Sequence, residues 1–80
     1  MRLDKYLKVS RLMKRRTVAN EACDAGRVEV NGKVARASYE VKVGDVIAIT
    51  LGAKVMRVRV TNVSEYVTKE SAAELYSIEP

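Results

Sequence analysis

The chain has 80 residues, with 15 lysines and arginines against 10 acids, no histidine, one cysteine and a formal net charge of +5. A chain of this length buries only roughly 60 to 65% of its unfolded surface, which leaves room for one small core and little for a deep catalytic cleft as well. The missing histidine removes the commonest general base and metal ligand, the single cysteine excludes an intramolecular disulfide, and no apolar run approaches the ~18 residues of a membrane span.

The charge is unevenly placed. Residues 1 to 36 hold ten basic side chains against four acids, net +6, whereas residues 37 to 80 hold five against six, net -1. A basic half on a mildly acidic body is the footprint of a polyanion binder, the plain alternative being solvated helix faces. The N-terminus is basic, but charge interrupts its apolar residues too often for a signal peptide, and a reducing, cytoplasmic setting is expected.

In chain order, residues 3 to 11 read as an amphipathic helix. At about 100° per residue, Leu3, Tyr6, Leu7 and Ser10 share one side, while Asp4, Lys5, Lys8 and Arg11 lie opposite. Leu12 would fall on the basic face, so the helix is expected to end near Arg11 and Leu12 to Lys14 to form a turn. A second helix is expected from Arg16 to Ala25, with Val18, Ala19, Ala22 and Cys23 as its buried stripe, Thr17 as a cap and Gly26 as its stop. From Arg27 the period becomes two. Val28 and Val30 alternate with Arg27 and Glu29, Asn31-Gly32 marks a hairpin turn, and Lys33 to Ala35 is the return strand. Gly44-Asp45 is a second turn, followed by strands at Val46 to Ile49 and Val55 to Val60 around a turn at Leu51 to Lys54. A helical turn at Ser71 to Glu74 and a strand at Tyr76 to Ile78 complete the pattern. The expected fold class is α+β, two N-terminal helices packed on a small, mostly antiparallel sheet.

No catalytic apparatus is visible, and neither a metal site nor a cofactor is expected. Cys23 lies on the apolar stripe as a small buried residue, the acids are scattered, and the four glycines stand singly at turns. The basic residues suit binding. Arg2, Lys5, Lys8 and Arg11 follow at three-residue spacing along one edge of the first helix, and Lys14, Arg15 and Arg16 cluster where the second begins. Arginine's planar fork fits phosphate with two parallel hydrogen bonds, where lysine is a point charge. Asp4 reads equally as a first-turn carboxylate that favours the helix dipole or as a group that orients Arg2 or a neighbouring guanidinium. Tyr6 is expected in the core, with a hydroxyl able to reach the surface. A DNA-binding helix-turn-helix fits poorly, because the second helix is short, rich in alanine and without a polar base-reading face.

Four fragments carry a family resemblance: Arg2-Leu3-Asp4-Lys5-Tyr6-Leu7, Arg16-Thr17-Val18-Ala19, Gly26-Arg27-Val28-Glu29-Val30-Asn31-Gly32 and Val41-Lys42-Val43-Gly44-Asp45-Val46. In this order and spacing the chain resembles the RNA-binding domain named for small-subunit ribosomal protein S-four, the alpha-L motif. The match spans residues 1 to 51, with 52 to 80 as a strand-rich extension of one domain, 1 to 80. Among stand-alone members it is similar to the fifteen-kilodalton heat-shock protein group and, through Lys14 to Thr17 and Lys69 to Ala73, to the ribosome-quality-control group typified by RqcP. Many family members have Ser or Thr where Arg15 stands, so a weaker helix cap and an added charge are expected here.

The resemblance implies a non-enzymatic, ribosome-associated factor that binds large-subunit rRNA and P-site tRNA. It also implies a role beside an RqcH-type tailing factor in adding a C-terminal alanine tail to stalled nascent chains. The carried-over contacts are Arg2, Asp4 and Arg16, with Lys5, Lys14 and Arg15 in support; Lys8 and Arg11 join them from the basic edge. No membrane partner is expected, and the chain is read as a monomer. The alternatives are a large-subunit recycling factor without a part in tailing, or a protein-interaction module that uses Tyr66, Tyr76 and the sheet.

Overall fold

Leucines at 3 and 7 and the tyrosine at 6 recur at helical spacing, and in the computed structural model, which describes residues 1–64 and 71–79, all three are fully buried. They lie on helix α1, Leu3–Val9, which packs against helix α2, Arg16–Asp24. α1 ends two residues before the expected position. Ser10 closes it, and Arg11 takes a left-handed conformation, φ 63°, a placement that glycine usually fills. The chain is thereby turned so that Met13 is buried and its N–H reaches the Leu7 carbonyl at 3.0 Å.

α2 begins at Arg16 with Arg15 as an extended N-cap that makes no side-chain capping bond. Thr17 is therefore inside the helix rather than its cap. The buried stripe is also narrower than expected. Ala19 and Cys23 are buried and Ala22 is partly so, but Val18 is 46% exposed on the side turned away from the core. Gly26, φ 73°, follows the helix as its left-handed stop.

The sheet has five strands: β1, Val28–Val30; β2, Lys33–Val34; β3, Val46–Leu51; β4, Lys54–Val60; and β5, Tyr76–Ile78. Their order is β2-β1-β3-β4-β5 and every pairing is antiparallel. Register places Val28 opposite Ile49, Val30 opposite Ile47, and Ile47 opposite Val58, so one face supplies a continuous apolar layer beneath the helices. Arg57 and Arg59 alternate with Val58 and Val60 and stay exposed, as period-two patterning requires.

Two polar ties lock this core. Asn31 and Gly32 both have positive φ, 53° and 84°, which suits the primed turn of a tight hairpin. The Asn31 side chain then reaches the second turn: its amide donates to Asp45 at 3.1 Å and its carbonyl accepts from the Val46 N–H at 3.0 Å. Asp45, almost wholly buried, also accepts from the Tyr39 hydroxyl at 2.9 Å and the Lys42 N–H at 3.0 Å. At the far end, the Tyr6 hydroxyl donates to the Leu75 carbonyl at 2.7 Å. That carbonyl also accepts from the backbone of Thr61 and Asn62, so Tyr6 is buried to its tip and does not reach the surface.

The connection between β2 and β3 crosses the start of α1. The Leu3 and Asp4 N–H groups donate to the carbonyls of Tyr39 and Ala37 at 2.8 and 3.1 Å, Arg2 bridges Glu40, and the Met1 amine pairs with the Glu40 carboxylate. These partners satisfy donors that a helix start otherwise leaves unpaired, which explains why α1 needs no side-chain cap.

Candidate nucleic-acid interface

Asp4 is the centre of the basic surface. The residue is only 2% exposed, with guanidinium groups from the N-cap of α1 and the first residue of α2 set against it. Arg2 Nε donates to Oδ1 at 3.2 Å with a longer contact from Nη2 to Oδ2 at 3.5 Å, and Arg16 Nε donates to Oδ2 at 3.2 Å. The Lys5 N–H donates to Oδ1 at 2.8 Å and the Asn20 amide to Oδ2 at 3.5 Å. Both arginine side chains remain about half exposed, 49% and 48%, with Nε of each on the carboxylate. One buried charge thus holds two half-exposed cations, one at the N-cap of α1 and one at the start of α2.

Asp4 stands in the first turn of α1 and also holds both guanidinium groups, so the geometry is compatible with both readings of it open in the sequence. Asn20 was missed by the sequence reading. The available signal was its spacing: four residues after Arg16, it must share that helix face. Lys5 is half-buried, while Lys8, Arg11, Lys14 and Arg15 are exposed along α1 and the connection to α2. Arg11 lies beyond the end of α1, so it does not continue the helical edge of Arg2, Lys5 and Lys8. The structure therefore brings Arg2, Asp4 and Arg16 together and leaves Lys8, Arg11, Lys14 and Arg15 as an outer rim that does not bond to Asp4.

Elsewhere the chemistry is quiet. Burial first, with the charges of Asp4 and Asp24 after it, pushes the Cys23 thiol up to about 11, in keeping with a packed apolar role. Tyr76 is partly buried against the core, and Tyr66, the other tyrosine of the protein-interaction reading, lies outside the described residues.

Burial acts most strongly on the Asp4 carboxyl and would raise its pKa, but the hydrogen bonds from Arg16, Arg2, the Lys5 N–H and Asn20 together hold it below its ordinary 3.8. Asp45 shows the same balance, burial against bonds from Lys42, Asn31 and Tyr39. In both, the unfolded chain takes up its proton first as pH falls. Their stabilisation is accordingly complete well above pH 3.8 and lost as pH drops through the lower folded values. Urea titrations from pH 6 down to pH 2.5 are expected to show stability falling in that window, and the Asp4→Asn/Asp45→Asn double variant to show a flatter profile; an unchanged profile refutes the assignment.

A model of the S4 domain family matches residues 1–47. Over 78 residues the chain is 56% identical to the "RQC P-site tRNA stabilizing factor" of Halalkalibacterium halodurans, covering 98% of this chain and 89% of that protein. Among solved structures it is similar to trimeric Heat Shock Protein 15 of Vibrio cholerae, with TM-score 0.90, 29% identity and coverage of 99% of this chain and 81% of the other. The solution structure of the protein HP1423 aligns with TM-score 0.84 and 30% identity over 100% and 98% of the two chains.

Proposed function

The chain belongs to the S4 domain family, and on that footing we propose that it is a non-enzymatic RNA-binding factor of the large ribosomal subunit that contacts rRNA and P-site tRNA in ribosome quality control. The observation that carries this reading is the pair of half-exposed arginines, Arg2 and Arg16, set on the buried Asp4 carboxylate. A fork already held at one edge presents its remaining N–H groups to phosphate without first being ordered. Lys5, Lys8, Arg11, Lys14 and Arg15 extend the positive field around that pair.

RNA suits this face better than DNA. A-form RNA hides its base edges in a deep, narrow major groove, so a compact helical surface reads shape, phosphates and 2′-hydroxyls. In the same proposal residues 1 to 80 act as one unit in the cytoplasm, and the bound factor assists an RqcH-type enzyme in alanine tailing. The single-copy mode expected from the sequence is part of the proposal too, and it contrasts with the trimer described for the Vibrio cholerae relative.

Arg16→Ala is expected to weaken binding to purified large subunits about fivefold, on the order of 1 kcal/mol. It is also expected to flatten the logarithmic salt dependence by roughly 0.7 to 0.9, one phosphate's worth. Co-sedimentation across a salt series, with tRNA content measured in the bound fraction, checks both. Unchanged affinity and slope in a folded Arg16→Ala protein, or absence of the protein from every ribosomal fraction, overturns the reading. Normal binding with undiminished alanine tailing in cells lacking the protein leaves the recycling role instead.

A further inference from the structure

A groove lies between α2 and the connection that leaves β2, lined by Arg2, Asn20, Asp24, Ala35, Arg36 and Ser38. Arg2 and Asn20 are shared with the arginine pair on Asp4, so this groove and that pair are neighbouring parts of one surface. Arg36 is the new element. Its guanidinium is exposed and makes no ion pair or hydrogen bond among the described residues, in contrast to Arg2, Arg16 and Arg59, each of which has a carboxylate. Its backbone is well fixed. The Arg36 carbonyl accepts from the Tyr39 N–H at 3.0 Å in a tight turn, and the next residue, Ala37, receives the Asp4 N–H at 3.1 Å. An unpaired cation is therefore mounted on a segment stitched to the residue that organises the other two.

We infer that this groove is a second phosphodiester-binding position, with Arg36 facing Arg2 across it and the Asn20 amide and Ser38 hydroxyl as neutral donors. The inference rests on the RNA-binding reading above and extends it. RNA would meet the protein on both sides of the α1 start, with Arg16 on one flank and Arg36 on the other. Asp24 at the groove wall disfavours a phosphate on its own side, which directs the anion toward the two arginines. A lysine at 36 would keep the charge and lose the planar fork.

The test uses the full chain and large ribosomal subunits carrying P-site tRNA, with binding measured across a salt series for Arg36→Ala, Arg36→Lys, Arg16→Ala and Arg57→Ala. Arg57 is exposed on the sheet face away from the helices, so Arg57→Ala removes the same charge from a different surface. Arg36→Ala is expected to weaken binding about fivefold and flatten the slope by roughly 0.7 to 0.9, Arg36→Lys to weaken binding while keeping the slope, and Arg57→Ala to do neither. Circular dichroism checks that each variant is folded. If Arg36→Ala behaves like Arg57→Ala while Arg16→Ala still weakens binding, the groove assignment is overturned and the RNA-binding reading stands. If Arg16→Ala is silent as well, the RNA face is misplaced and the groove falls with it.

Discussion

Replacing Asp4 with asparagine is expected to lower affinity for large ribosomal subunits about tenfold, although it raises the formal net charge from +5 to +6. The reason is order rather than charge. In the native protein the carboxylate holds Arg2 at 3.2 Å and Arg16 at 3.2 Å. An asparagine offers one acceptor oxygen, and its amide hydrogens face the guanidinium donors. Each arginine must then be immobilised at the moment of binding, which costs roughly 0.5 to 1.5 kcal/mol per side chain. Two such costs correspond to about five- to 150-fold in affinity. The salt slope distinguishes this from lost contacts, because both cations are still present in Asp4→Asn and the slope should hold. The Arg2→Ala/Arg16→Ala double variant should instead lose about two phosphate units of slope. An Asp4→Asn protein that is folded and binds more tightly than wild type would show that Arg2 and Arg16 act as unorganised charges. Measurements belong at a temperature where the variant is folded, since the lost bonds also cost about 1 to 3 kcal/mol of stability.

The larger stability effect is expected at Asp45. It is nearly buried and gathers the Asn31 amide, the Tyr39 hydroxyl and the Lys42 N–H on one carboxylate. Asp45→Ala removes all three bonds and leaves part-buried donors without their acceptor, a loss of about 3 kcal/mol. A domain of 80 residues has about 4 to 12 kcal/mol in total, so the variant approaches the unfolding threshold at physiological temperature. Its Tm should fall by roughly 12 to 24 °C in calorimetry. Asn31→Ala, which removes one bond to Asp45 and the Val46 contact, should fall less far. A drop of only a few degrees in Asp45→Ala would mean that the two turns are held by the backbone alone.

Much of this architecture was legible because its physics is local. The three- and four-residue spacing of Leu3, Tyr6 and Leu7, the alternation of Val28 with Val30 and of Val58 with Val60, and the Asn31-Gly32 turn each declare their element within a few residues. Local pattern and fold part company where a distant contact decides. The end of α1 moved from Arg11 to Val9 because burying Met13 requires the chain to turn early, at the expense of a left-handed arginine. Val18 shares the apolar spacing of α2, but α1 and the sheet cover only the Ala19 and Cys23 side of that helix. Within the site, charge and spacing drew attention to Arg2 and Arg16, whereas the shared carboxylate between them could only be one of two readings. Arg36 carried no periodic signal at all, since it stands in an irregular connection whose course is set by pairing with residues 1 to 4.

The hydrogen bond from Tyr6 to the Leu75 carbonyl spans 69 positions of sequence. During synthesis both basic helices are made before that acceptor, because chains grow from the N-terminus, and the gap is roughly 3 to 10 seconds at about 5 to 20 residues per second. Over that interval the tyrosine hydroxyl lacks its native acceptor, and β5, the edge strand beside β4, does not yet exist. Closure of the sheet and the last bond from the Tyr6 hydroxyl therefore come after the basic face has been made.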